Sequence, residues 1–171
     1  RWSDVPVREL LRAAFGVPVV VANVTDAAAV AEARFGVAQD VREFVWVYVG
    51  TGIGAGIVSG GQVFRGRSGF AGEIGFCREA RSGRILEEVA SGRAMVEKAR
   101  ALPGIAGELT TEGVMILASE GQPEVRAIVE EAGAALGLAI AHTVNILNPE
   151  LVVLGGNACS SDNCFVEAVR R

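Results

Sequence analysis

Hydrophobic positions along this chain follow two periods, and each change of period marks an element. After Asp4, the apolar residues Val7, Leu10, Leu11 and Ala14 recur at helical spacing and Gly16 follows, so a helix is expected from Asp4 to Gly16. Pro18–Val21 is a short, unbroken apolar run rich in β-branched residues and predicts a buried strand. Ala27–Phe35 returns to helical character and is closed by Gly36. Residues 43–50, EFVWVYVG, are apolar without alternation, the pattern of a central strand covered on both faces. Ile53–Val58 predicts a second strand across Gly50-Thr51-Gly52, and Gly60-Gly61 predicts a turn that returns through Val63-Phe64.

Residues 66–83 mix glycine and arginine without a period and read as loop. Helical spacing resumes over 85–101 and 112–120. It is clearest from Pro123, where apolar residues run from Val125 to Leu147 until Asn148-Pro149 stops them. Leu151–Leu154 predicts a last buried strand, ending in Gly155-Gly156. Strands and helices alternate, so the class is α/β, a mixed sheet with flanking helices. No internal repeat or low-complexity linker interrupts it.

Composition sharpens this picture. The 171 residues suit one domain, half of them are hydrophobic and 21% are charged, which excludes a disordered chain. No uninterrupted apolar run approaches the roughly 20 residues of a membrane span, and no basic-plus-apolar leader opens the sequence, so a cytoplasmic location without membrane contact is expected. The net charge is −4. Arg65, Arg67, Arg78, Arg81 and Arg84 are spread through one loop-rich region as a solvated rim, and residues 1–171 are not expected to bind DNA by themselves. Cys77, Cys159 and Cys164 form no CxxC pair, which argues against a disulfide framework or a four-ligand zinc site. The single histidine, His142, falls inside the long helix as a packed or surface residue.

Candidate chemistry gathers at three places. In VVVANVTDAAAVAEARFG, residues 19–36, Asp26 stands between the first predicted strand and a helix, where a carboxylate serves either as a general base or as a helix cap. In VYVGTGIGAGIVSGG, the glycines at 50, 52, 54 and 56 uncover backbone N–H groups beside the Thr51 hydroxyl. Such a hairpin holds a phosphate by main-chain donors or is simply a tight turn needing positive φ. It lacks the lysine of a Walker loop and the following helix of a Rossmann fingerprint. The third, NPELVVLGG, ends at the carboxyl edge of the predicted sheet, where ligands of α/β proteins collect.

Taken in order, PVVVANVTDAAAVAEARFG, VGTGIGAGIVSGGQVFRG, GFAGEIGF, ILEEVASG and VNILNPELVVLGG resemble the ROK family, which groups bacterial sugar kinases with sugar-responsive transcriptional repressors. The resemblance implies an actin-like, hexokinase-like fold of two lobes. Residues 1–171 are then the large, sugar-binding lobe of a longer protein, with the small lobe and its DxGxT loop, and in repressors a winged helix-turn-helix, outside this chain. In the kinases of that family an N-D dyad follows the first strand, and its aspartate is the general base. Asn23 matches the asparagine, but Val24 stands in the aspartate's position, and loss of a positioned base costs about 10²–10⁴-fold in rate. Asp26 is expected instead to cap the N–H groups of Ala28 or Ala29.

The family's E-x-G-H motif is matched by Glu73-Ile74-Gly75-Phe76, with Phe76 replacing a histidine that contacts sugar and zinc. Its cysteine-rich zinc segment is matched only by RSGRILE, which retains Glu87, so no zinc is expected. What the resemblance implies is a sugar site of Asn23, Gly69, Gly72, Glu73 and Glu87, because carboxylates and an amide suit vicinal hydroxyls. Gly50, Thr51, Gly52 and Gly54 match a phosphate loop and Gly155-Gly156 a nucleotide-side turn, both able to persist as fold requirements. The implied function is the sugar-sensing lobe of a repressor that contacts DNA through another domain and self-associates as a dimer or tetramer. Two alternatives stand beside it: an ATP- and Mg²⁺-dependent sugar kinase using Asp26, and a degenerate lobe kept for association through its long apolar helix.

Overall fold

The computed structural model describes residues 4–105, 107–159 and 163–171. Its centre is β1 (Phe44–Val49), the apolar run read from the sequence as a central strand. β2 (Ile53–Ser59) pairs with it antiparallel through the turn at residues 50–52, Val49 opposite Ile53 and Phe44 opposite Val58. β4 (Leu151–Gly155) pairs with its other edge in parallel, from Phe44 opposite Leu151 to Tyr48 opposite Gly155. The short β3 (Gln62–Val63) completes a mixed sheet of order β3-β2-β1-β4.

Successive side chains of a strand face opposite sides, and the sheet is accordingly covered on both. Phe44 and Val58 pack with Ala29 and Ala38 beneath α2 (Val24–Phe35). Val45, Val47 and Val49 face the larger core, built with α3 (Glu87–Ala90), α4 (Gly92–Arg100), α5 (Thr111–Ser119) and α6 (Pro123–Leu147). α6 buries Val125, Val129, Ala132, Gly133 and Leu136 on one stripe and stops at Asn148, whose left-handed φ of 46° ends the helix. α7 (Cys164–Arg170), which the sequence pattern did not mark, lies along α6. At Gly133 and Gly137 the backbones approach so closely that a β-carbon would sit 2.6 Å from the carbonyl oxygens of Phe165 and Val169.

Several expectations are corrected. Residues 18–21 form no strand: Val20 is 86% exposed. A β-branched run becomes a strand only where a neighbour takes up its N–H and C=O groups, and no described strand lies beside this one. α1 (Val7–Phe15) starts after Pro6 rather than at Asp4 and buries none of its residues, although Gly16 ends it in the left-handed conformation as expected. The helix expected over 85–101 is two. Its break is Ser91, fully buried and extended, whose hydroxyl oxygen accepts the Ala94 N–H at 3.1 Å to start α4. β4 is half-buried rather than buried, because it is an edge strand of this sheet. α6 is long and apolar enough, by length and composition alone, to cross a membrane, although no uninterrupted apolar run marks it in the sequence. Its early turns are nevertheless part of the core.

Candidate functional site

The site is organised by the N-terminus of α2 against β2. Asn23 holds an extended backbone and is the helix cap. Its Oδ1 accepts the Thr25 N–H at 2.9 Å and lies 2.8 Å from the Thr25 hydroxyl, which is also 3.1 Å from the Ala55 carbonyl oxygen on β2. The helix can come this near because the strand carries glycine there. A β-carbon on Gly54 would stand 3.2 Å from the Thr25 methyl, and one on Gly56 would overlap the Thr25 carbonyl. With its oxygen engaged, Asn23 directs Nδ2 outward to donate to Glu73 Oε1 at 3.3 Å.

Asp26 is not the cap. α2 begins three residues before the apolar pattern placed it, so Asn23 takes that role and Asp26 falls inside the first turn. It is 7% exposed, and its Oδ2 accepts from Arg65 Nε at 3.1 Å. This ion pair fastens the loop after β3 to the start of α2. Val24, the first residue of the helix, is 72% exposed and places an apolar side chain beside Asn23.

Glu73 is set by the loop before it. Gly72 has φ of +88°, and its carbonyl accepts both Ala55 N–H and Ile74 N–H at 2.7 Å. A side chain on Gly72 would overlap the Ala55 carbonyl oxygen, and one on Gly75 the Ile53 carbonyl oxygen. These glycines therefore seat the loop on β2. Gly69, φ +82°, faces open space. Phe70 and Phe76 flank this loop with exposed rings.

Glu87 opens α3 and reaches β2 from the other side. Its Oε2 accepts the Ile53 N–H at 3.0 Å, and its Oε1 lies 3.5 Å from Arg93. The structure thus joins Asn23 and Glu73 directly, while Glu87 is bound to the strand start and to Arg93 instead.

The glycine turns are explained by space. None of Gly50, Gly52, Gly54 or Gly56 has positive φ, which corrects the expectation for a tight hairpin. A β-carbon on Gly52 would overlap the Glu87 carboxylate, and one on Gly50 would strike the Tyr48 ring. The Gly50 carbonyl accepts the Gly92 N–H at 2.7 Å, which draws α4 onto the turn, while Thr51 stays exposed. At the end of β4, a β-carbon on Gly155 would stand 2.7 Å from the Trp46 ring, and Gly156 has φ of +101° against the Val49 carbonyl. Next to it the Asn157 amide donates to the Glu112 carboxylate. Glu112 is held below the usual carboxylate range by its own backbone N–H and the Thr110 hydroxyl.

Among the described residues no three His, Cys, Asp or Glu side chains converge, and Cys77 is exposed. Three contributors escaped the sequence reading: Thr25, Arg65 and Arg93. Only Thr25, two residues after an asparagine cap, carried a local signal.

Residues 1–171 match the ROK family, and the chain belongs to it. A putative xylose repressor from Caldicellulosiruptor sp. is 38% identical over 192 residues, covering 100% of this chain and 48% of the repressor. The chain thus spans about half of that relative's length. A ROK family glucokinase from Streptomyces griseus, solved with glucose and AMPPNP, superposes at a TM-score of 0.87 with 28% identity, covering 99% of this chain and 62% of that one. A ROK family transcriptional regulator, a homolog of the E. coli MLC protein, superposes at 0.81 with 33% identity over 96% of this chain and 46% of that one. The fold is the actin-like, hexokinase-like fold of these proteins.

Proposed function

We propose that this chain is the sugar-sensing lobe of a ROK transcriptional repressor and carries out no phosphoryl transfer. The observation that carries the reading is the head of α2, where the Asn23–Glu73 pair offers an amide and a carboxylate to sugar hydroxyls while Val24 beside them has no group to accept a proton. A general base must come within about 2.6–3.2 Å of the hydroxyl it deprotonates. Asp26, the nearby alternative, is buried against Arg65. Glu87 joins the ligand by exchanging its Arg93 contact for a hydroxyl, and Gly69 and Gly72 bring backbone towards the ring. The glycines at 50, 52, 54, 155 and 156 are packing requirements, and neither ATP nor zinc belongs to this reading. DNA contact falls to residues outside this chain, in a cytoplasmic homodimer or homotetramer, and sugar binding shifts the population of lobe arrangements.

The similarity to a putative xylose repressor makes D-xylose the first ligand to test, with D-glucose and N-acetylglucosamine beside it. Calorimetry on the protein expressed from its complete reading frame should show binding of at least one of them. Glu73→Gln should weaken it about tenfold, the effect of losing one hydrogen bond to a charged group. A second reading, a sugar kinase, draws on the superposition on a glucokinase, and a coupled ATPase assay decides between the two. Sugar-dependent turnover at an ordinary 1–10³ s⁻¹, roughly, would overturn the sensor reading.

A further inference from the structure

Between Glu73 and Glu87 the chain runs outward and back as a narrow loop whose two feet carry those carboxylates. One foot is the 3-10 turn Ile74–Phe76, which begins directly after Glu73; the other is Leu86, 1% exposed, which leads into α3 at Glu87. Two backbone rungs join the limbs: Leu86 N–H to the Cys77 carbonyl and Glu79 N–H to the Arg84 carbonyl, both at 2.8 Å. The tip has no apolar core, and Ala80, Arg81 and Ser82 are exposed. What closes it is the side chain of Glu79, only 8% exposed, which accepts the Arg81 N–H at 2.8 Å, the Ser82 N–H at 2.7 Å and the Ser82 hydroxyl at 2.8 Å. Its carbonyl takes the Gly83 N–H at 2.9 Å. One carboxylate thus gathers the donors that would otherwise open the tip to water.

We propose that Glu79 is a positioning residue for the sugar site: by closing this loop it holds the feet together and fixes the spacing of Glu73 and Glu87. The inference rests on the sensor reading above. It assigns to one carboxylate a task that a segment without a metal donor set must meet by hydrogen bonds alone. An oxygen acceptor with two lone-pair-bearing atoms is required, because three donors converge on it. Glutamine keeps one acceptor oxygen and sets an N–H₂ against a backbone N–H; alanine keeps neither.

The test compares wild type, Glu79→Gln and Glu79→Ala in the protein expressed from its complete reading frame. Calorimetry uses whichever of D-xylose, D-glucose and N-acetylglucosamine the wild type binds, and amide exchange is followed at Glu79, Ser82 and Leu86. Glu79→Ala should weaken sugar binding about tenfold and lose protection at those amides, with Glu79→Gln intermediate and the unfolding midpoint nearly unmoved. Unchanged sugar affinity in a Glu79→Ala protein that has lost this protection overturns the proposal, since a purely structural loop would behave so. If Glu79→Ala does not fold, Glu79→Gln is judged by the same criterion. If wild type binds none of the three sugars, the sensor reading fails, and exchange judges the clamp alone. Lost protection at Leu86 in the variant supports it, and retained protection overturns it.

Discussion

Two regions of this molecule are rich in glycine, and they use it differently. Along the seam of β2, glycines at 54, 56, 72 and 75 stand where a β-carbon would press on the backbone or methyl of a neighbouring segment. In the outward loops, glycines at 60, 69 and 83 have positive φ with nothing within 4 Å. The seam brings α2 and the Glu73 loop onto one strand and so builds the candidate site. The outward glycines let the chain turn without pressing on a neighbouring segment. Glycine density alone therefore points equally to a site and to a bend, and the contact behind each residue tells them apart.

The sharpest way to break the comparison is Gly72→Ala, where positive φ and backbone overlap coincide. It should destabilise the lobe by about 3 kcal/mol, read from urea unfolding. Asn23→Ala removes the cap of α2 and the contact to Glu73 together. About 1 kcal/mol of stability should go, within the 0.5–2 kcal/mol usual for caps. Gly69→Ala meets only the left-handed penalty, about 1 kcal/mol, and a loss as large as that of Gly72→Ala would erase the distinction.

The smallest effect is a pH effect in the outward loop. Glu79 is held below its ordinary value of 4.5 by the Arg81 N–H, the Ser82 hydroxyl and the Ser82 N–H. A carboxyl lowered on folding contributes its stabilisation in full above its unfolded value and loses it as pH falls through the lower folded value. Closure of the tip should thus be complete at neutral pH and weaken only in the acid range below 4.5. Glu43 and Glu112 are lowered too. The measurement is therefore the difference between wild type and Glu79→Gln, followed by amide exchange at Ser82.

Much of the fold was legible because it is written in local pattern. Residues 44–49 and 53–59 are strands, the turn between them is where the glycines placed it, and α6 runs over Pro123–Leu147 and is stopped by the asparagine before Pro149. Residues 18–21 failed because a strand needs a partner, and Ser91 broke a helix because its hydroxyl starts a new one in the core. At the site, Asn23 and Glu73 were both singled out, and they do meet. The role expected of Asp26 was not the one it has, since its partner lies 39 residues away on a loop without periodicity.

By itself, the sequence determined the class, the central hairpin, the long helix and the family, because hydrophobic period and motif order are properties of neighbouring residues. Only the tertiary structure decided what each carboxylate does. Asp26 is an anchor for Arg65, Glu73 a partner of Asn23, Glu87 a brace on Ile53, and Glu79 the closure of a loop. A carboxylate is defined by the donors it meets: those of Asp26, Glu73 and Glu87 converge only after the sheet has brought distant segments together, whereas Glu79 finds its donors two and three residues further along its own loop.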